Sequence, residues 1–360
     1  MMTHIPFDKL PIDTSAPVLV TGATGYVAGW IVKRLLERGV TVHAAVRDPS
    51  NREKLAHLHA MAAATPGDLV IFRADLLEEG SYGAAMAGCG VVFHTASPFV
   101  SVVEDPQRDL VDPAVKGTRN VLASATATYS VTRVVLTSSC AAIIGDAADM
   151  AGAVADEDTW NSTSSLEHQP YSYSKTAAER AAWEASRRQA RWRLVVINPS
   201  LVIGPGTADR QTSESFSILR QMGAGAFKSG VPPMEIGMVD VRDVAEAHVR
   251  AAFLPAAEGR HIISAESLTL LRVAQILCAS YGNRLPVTAR EMPKWVVWLI
   301  GPLVSSTITR RMVTRSMGHR WQVDNGKSRH ALGMGYRPLE PGVEEMFQQM
   351  VDTGQVALLP

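Results

Sequence analysis

The residues with the clearest chemical potential stand in Tyr171-Ser172-Tyr173-Ser174-Lys175, which sets a phenol and an ammonium four residues apart, on one face of a helix. An unperturbed phenol titrates near ~10, too high for efficient proton transfer at neutral pH, and an ammonium fixed beside it favours the phenolate. Tyr173 is a competing phenol, but it stands only two residues before Lys175 and faces another way. Leu136-Thr137-Ser138-Ser139 ends an apolar run in hydroxyls, and Ser139 is suited to hydrogen-bond a carbonyl oxygen and stabilise charge developing on it. Each element alone is weak. Tyr and Lys at this spacing occur by chance on many helices, and serine pairs often just end strands.

A second group of residues points to a nucleotide. Thr21-Gly22-Ala23-Thr24-Gly25-Tyr26-Val27-Ala28-Gly29 follows the short apolar run Val18-Leu19-Val20. Gly22 permits a sharp turn, Gly25 lets backbone approach a pyrophosphate, and small Ala28 beside Gly29 lets the next helix pack close to the strand. The helix N-terminus then offers free N–H groups to phosphates. At the end of the second strand, Val46-Arg47-Asp48-Pro49 selects the dinucleotide: an acid there binds a ribose 2′-hydroxyl, whereas an Arg accommodates a 2′-phosphate. Arg47, with Lys54 one helical stretch onward, favours NADP(H). The competing reading leaves Arg47 in solvent and gives the ribose to Asp48. Asp75, after the third strand, is placed for the adenine amino group, and Thr95, Ala96 and Ser97 in His94-Thr95-Ala96-Ser97-Pro98 flank the cofactor. The order of glycine turn, Arg, Ser, Tyr and Lys strengthens the joint reading beyond any of its parts.

These residues need a scaffold, and the hydrophobic pattern supplies one. Strands are expected at Val18–Val20, Val40–Val46, Val70–Arg73, Val91–Phe93, Arg133–Leu136 and Leu194–Ile197, and helices at Trp30–Arg38, Tyr82–Ala87, 107–128 and 172–190. Short apolar strands alternating with helices predict an α/β, doubly wound parallel sheet of Rossmann type, covered on both faces. A helix over VDVRDVAEAHVRAAF and a strand at HIIS return to this domain. The expected division is a loose tail over 1–16, a Rossmann domain from 17–202 plus 237–265, a smaller discontinuous substrate lobe from 203–236 plus 266–345, and a C-terminal tail over 346–360.

Composition narrows the function. The 360 residues carry 35 Lys plus Arg against 35 Asp plus Glu, so the net charge is zero and no basic surface for nucleic acid is implied. That zero is a sum of opposites, since residues 284–330 hold nine basic and two acidic residues. Three scattered cysteines, Cys89, Cys140 and Cys278, suit a reducing, cytoplasmic setting, and the N-terminus lacks the apolar core of a signal peptide. Cys140 reads as a buried wall residue. His43, His57, His59, His248 and His261 show no ligand spacing and imply no metal.

The stretches VTGATGYVAGW, VRDPSNREKLAHL, ADLLEEGSYGAAMAGCGVVFHTASP, VKGTRNVL, VVLTSS, YSYSKTAAERAAWE, INPSLVIGPG and VDVRDVAEAHVRA are similar to those of the extended short-chain dehydrogenase/reductases. Within them the chain resembles the dihydroflavonol reductase, cinnamoyl-CoA reductase and 3β-hydroxysteroid dehydrogenase group, from about Pro17 to His261, with a weak revival at DNGKSRHALGMGYRPLE. The resemblance implies a Ser139, Tyr171, Lys175 triad. It also implies an NADPH site including Gly22, Gly25, Tyr26, Val27, Arg47, Lys54, Asp75, Leu76, Ala96, Pro199 and Val202, to which Thr24, Thr95, Ser97 and Ser200 belong by position. Two departures stand out. Ile144, five residues after Ser139, replaces the substrate-contacting Asn of flavonoid-active members, and His168-Gln169-Pro170 lacks the Asn-Trp of the cinnamoyl-CoA enzymes.

The expected activity is hydride transfer between NADPH and a ketone or aldehyde, reversible on the alcohol, by a monomer or homodimer. A sugar-nucleotide epimerase or dehydratase on the same fold is the competing enzyme; it would use NAD and an acid where Arg47 stands. A non-catalytic dinucleotide sensor or scaffold would lose Ser139, Tyr171 or Lys175, and all three are present. The apolar run Trp295–Val304 is either a helix lining or capping the substrate pocket or, with basic Arg310, Arg311 and Arg315 nearby, a membrane-surface contact through 295–315. At ten residues it is too short for a span, which needs ~20.

Overall fold

The computed structural model describes residues 5–97, 103–150, 152–304 and 308–360. Pro98 and residues 305–307 therefore lie outside the described residues. The chain runs β1 (Val18–Thr21), α1 (Tyr26–Glu37), β2 (Val42–Val46), α2 (Arg52–Ala63), β3 (Leu69–Arg73), α3 (Gly83–Met86), β4 (Val91–His94), α4 (Asp112–Ala127), β5 (Arg133–Thr137), α5 (Pro170–Arg187) and β6 (Arg193–Pro199). It continues through β7 (Leu201–Ile203), α6 (Glu214–Gly223), β8 (Glu235–Asp240), α7 (Val241–Phe253), β9 (Gly259–Ile263) and β10 (Glu266–Thr269). The helices α8 (Leu270–Tyr281), α9 (Lys294–Val304), α10 (Arg310–Ser316), α11 (Gly326–Ala331) and α12 (Leu339–Asp352) complete it.

Seven strands pair in the order β3-β2-β1-β4-β5-β6-β9, every pairing parallel. Alternate residues feed two cores: Val20 packs in the layer of Ile31 and Val244 from α1 and α7, whereas neighbouring Leu19 packs with Val121 and Ala182 from α4 and α5. Burial on both faces is why these strands read as unbroken apolar runs. The strand order reverses between β1 and β4, so the crevice outside their carboxyl ends is where this fold binds ligands. A second, three-stranded sheet runs β10-β8-β7, with β7 parallel and β10 antiparallel to β8.

The departures from expectation have local causes. Helix α1 begins at Tyr26, not Trp30, because extended Gly25 is its N-cap and Ala28 and Gly29 are already helical. Val239 and Asp240 belong to β8, and Asp240 then caps α7 by accepting from Arg242 N at 2.8 Å. Residues 346–360 are not a tail. The stripe Leu339, Val343, Met346, Phe347 and Met350 of α12 is buried, and Val356 follows it into the core. The leader is likewise docked from Ile5: Leu10 is buried, and the guanidinium groups of Arg38 and Arg250 donate to the Leu10 and Ile5 carbonyls at 2.9 Å each. In α9, Val297 and Gly301 face inward, Val297 clustering with Val313 and Met317, while Trp295, Trp298, Leu299 and Leu303 are exposed. Among the described residues no helix is long and apolar enough to cross a membrane.

Candidate active site

The nucleotide side of the crevice is built by the ends of β1 and β4. Gly22 holds φ +62°, and a Cβ there would lie 3.1 Å from Cα and Cβ of Ala96, so the turn needs glycine for both conformation and space. The Thr21 hydroxyl accepts from the N–H groups of Thr95 and Ala96 at 3.1 and 3.0 Å and lies 3.1 Å from His94 Nδ1. Burial, with Lys175 adding repulsion, pushes His94 down to about 3, so its ring is neutral at physiological pH. Thr24 and Gly25 stand at the lip of the turn with no side-chain cap on α1, leaving first-turn N–H groups for phosphate. Gly29 has a different duty from the expected one: a Cβ there would strike Thr207 Oγ1 at 2.2 Å, so its smallness serves the loop after β7.

At the end of β2, Arg47 is exposed and makes no hydrogen bond or ion pair among the described residues. Asp48 is engaged, its Oδ1 accepting from Ser50 N at 2.9 Å and Ser50 Oγ at 2.6 Å. Lys54 is exposed in the first turn of α2, which Asn51 caps by accepting its N–H at 3.0 Å. Asp75 turns its Oδ1 to the Leu77 N–H at 2.8 Å, and Leu76, Ala96, Ser97, Thr118 and Lys175 line one small cleft. Val27 packs half-buried against the core. Tyr26 contributes no free phenol: its hydroxyl is buried and donates to the Gly204 carbonyl at 2.5 Å. Pro199 ends β6, Ser200 donates its N–H to the Ile263 carbonyl at 3.1 Å, and Val202 pairs with Val239.

On the substrate side, Lys175 Nζ donates to Ser97 Oγ at 2.9 Å, tying α5 to the end of β4. One turn earlier Tyr171 is 54% exposed, its ring centroid 5.6 Å from that ammonium. Helix α5 packs against the turn Cys140–Ala142, which Ser139 caps by accepting from Ala141 N at 3.1 Å. The adjacent Ser138 is buried and spent, donating to Glu179 Oε2 at 2.5 Å. Cys140 is a wall residue, its thiol raised by burial and donating to the Asn198 carbonyl at 3.2 Å. Ile144 is also buried, packed with Cys140, Ala155 and Ile262, so its side chain is no surface of the cleft.

Sequence reasoning missed what lies beneath. Glu179 is buried and also accepts from Asn198 Nδ2 at 2.8 Å and Trp183 Nε1 at 3.2 Å, while the same Nδ2 lies 3.2 Å from the Ser139 carbonyl. Glu179 follows Lys175 by one helical turn, as Lys175 follows Tyr171, and that repeat was the available signal. A second carboxylate, Asp146, is 1% exposed and accepts from His168 Nε2 at 2.7 Å, Gln169 Nε2 at 2.8 Å and Arg315 Nε at 2.9 Å. No spacing in the sequence joins these residues. Among the described residues no His, Cys, Asp and Glu group could hold a metal.

With that geometry in hand, the likeness to known proteins is informative. The sequence profile of the NAD dependent epimerase/dehydratase family matches residues 18–263. A cinnamoyl-CoA reductase of Medicago truncatula is 37% identical over 338 residues, covering 92% of this chain and 95% of its own. An anthocyanidin reductase of Vitis vinifera is 37% identical over 286 residues, with 76% and 84% covered. The crystal structure of Gre2 from Candida albicans in complex with NADPH superposes with a TM-score of 0.76 at 28% identity, covering 94% of this chain and 99% of that one. The chain belongs to the NAD-dependent epimerase/dehydratase family of extended short-chain dehydrogenase/reductases, in its cinnamoyl-CoA reductase and dihydroflavonol reductase-like group of NAD(P)-dependent reductases.

Proposed function

We propose that this chain is an NADPH-dependent carbonyl reductase whose proton-transfer residues are Ser139, Tyr171 and Lys175. The observation that carries the reading is the hydrogen bond of Lys175 to Ser97 at 2.9 Å, with the Tyr171 ring 5.6 Å from the same ammonium, at the carboxyl edge of the sheet. The residues present fit the dinucleotide: the turn at Gly22 is open where a Cβ would crowd Ala96, and Arg47 is free while Asp48 is occupied. NADPH, when bound, supplies the hydride. Arg47, with Lys54 beyond it, holds the 2′-phosphate, the first turn of α1 receives the pyrophosphate, and Lys175 holds the nicotinamide ribose. Tyr171 Oη gives its proton to the carbonyl oxygen and takes it back in the reverse direction. Ser139 Oγ donates a hydrogen bond to the same oxygen and stabilises its growing charge. The ammonium of Lys175 stays beside the phenol and favours the phenolate left after transfer.

The substrate class is a ketone or aldehyde carried by an apolar or aromatic body, in keeping with relatives named for cinnamoyl-CoA and anthocyanidin. Against an NAD-dependent epimerase stands the occupied Asp48; against a sensor stands the exposed Tyr171 beside a fixed ammonium. The test is NADPH against NADH oxidation over a panel of aromatic aldehydes, aliphatic aldehydes and ketones. The expected result is a kcat/KM at least about tenfold higher with NADPH, the scale of one charged hydrogen bond. Strict NADH preference would overturn the Arg47 assignment, and no turnover of any carbonyl would overturn the function.

A further inference from the structure

We infer that Asp146 is a positioning residue that sets Tyr171 and ties its helix to the C-terminal part of the chain; the inference rests on the proton-transfer role proposed for Tyr171. The position of Tyr171 depends on how α5 begins. That beginning is unusual: Gln169, the N-cap, holds φ +54° and is the only described non-glycine residue with positive φ. Nothing in the amide side chain itself favours this conformation, so neighbours must hold it.

The neighbours are specific. Gln169 Nε2 donates to Asp146 Oδ1 at 2.8 Å, its Oε1 accepts from Ser172 Oγ at 3.4 Å, and its carbonyl accepts from Tyr173 N at 3.1 Å. The preceding His168, also buried, reaches the same Oδ1 at 2.7 Å. Asp146 is in turn fixed from behind: its N–H donates to Thr163 Oγ1 at 3.0 Å, and Gly145 leaves no room for a side chain, since a Cβ would lie 2.1 Å from that oxygen. One oxygen of the carboxylate therefore holds the two residues that lead into Pro170 and Tyr171.

The other oxygen points elsewhere. Asp146 Oδ2 accepts from Arg315 Nε at 2.9 Å, and the Arg315 guanidinium also pairs with Asp149. Arg315 lies on α10, which packs against the exposed apolar helix α9. The carboxylate thus joins α10 to the start of the helix that carries Tyr171 and Lys175. When α10 is in place, Gln169 is held and the phenol stands over Ser139; when it is not, the cap is released.

The test separates positioning from folding. Gln169→Gly suits the positive φ and so leaves thermal stability unchanged or raised, yet it removes the amide arm. We expect kcat to fall at least about tenfold with the NADPH dissociation constant within about twofold, a misplaced proton donor being costly at small displacements. The solvent deuterium isotope effect on kcat should rise, because proton transfer becomes limiting; a smaller fraction of folded enzyme would leave it unmoved. Asp146→Asn keeps an oxygen for Gln169 but turns an amide toward Arg315, and with Arg315→Met it should raise the KM of the best carbonyl in the panel more than it lowers kcat. If Gln169→Gly keeps both kcat and the isotope effect while Tyr171→Phe is inactive, the positioning role is wrong. Turnover by Tyr171→Phe would instead remove the proposed function beneath it.

Discussion

Glu179 Oε1 and Arg260 Nε lie 2.6 Å apart, both side chains buried, one helical turn below Lys175. The contact is ionic without being an aligned hydrogen bond, for the Nε–H does not point at the oxygen. Arg260 instead directs its terminal nitrogens to the carbonyls of Glu157 and Thr159 at 2.9 and 2.6 Å and stacks over Trp160. The pair joins α5 to β9 beneath the Ser138-Ser139 turn. Removing one partner leaves a buried charge uncompensated, so Glu179→Ala should cost about 3–5 kcal/mol, measured by urea unfolding at neutral pH. A loss under about 1 kcal/mol would mean that water or another group solvates Arg260.

Arg47 should govern cofactor choice without governing chemistry. Arg47→Ala is expected to raise the KM for NADPH by about 10- to 100-fold, the worth of charge-assisted bonds to a phosphate, with the KM for NADH nearly unchanged. Steady-state kinetics with both dinucleotides read this directly. An equal effect on NADH would return the 2′-group to Asp48.

The contact between Gly29 and Thr207 invites a double-mutant cycle. Gly29→Ala places a methyl against Thr207 Oγ1, 2.2 Å away, and overpacking of this kind costs about 1–3 kcal/mol. Thr207→Ala alone should be near neutral, because its hydroxyl is buried with no hydrogen-bond partner. In the double variant the next atom, Thr207 Cβ, lies at an ordinary 3.4 Å, so most of the loss should be restored. Thermal melts of the four proteins give the coupling, and strict additivity would contradict it.

Acid should destabilise the fold through buried histidines. Burial holds His94 and His261 down to about 3 and His248 to about 4, with Lys175 and Lys327 adding repulsion at the first two. The unfolded chain takes up these protons near ~6.5 and the folded chain does not, so stability is intact above that pH and declines below it, by about 1.4 kcal/mol per pH unit for each histidine. His261 makes no well-formed hydrogen bond from either ring nitrogen. His261→Leu should therefore stabilise the protein most at pH 5 and flatten the dependence. An unchanged slope between pH 7.5 and 5 would show that His261 is protonated in the folded state.

The sequence and the structure agree where one local requirement dictates one residue. Gly22 is needed for a positive φ against Ala96, and the both-face burial of Leu19 and Val20 writes a continuous apolar strand. They part where contacts are long-range. Tyr26 looked like a cofactor residue from its place in the turn, but its ring reaches Gly204, far along the chain. The helix over 339–352 was taken for the edge of a tail because its stripe mixes Met with Glu and Gln, and only its partners on α8 and the small sheet make it core. The carboxylates Glu179 and Asp146 gather donors from several elements, and no spacing records such a meeting.

The most direct measurement is turnover of the best carbonyl substrate by Tyr171→Phe, beside its NADPH affinity from nucleotide fluorescence. The account predicts unchanged affinity and a kcat lower by about 10²- to 10⁴-fold, the range of general acid catalysis, whereas kcat within about threefold of the parent would contradict it.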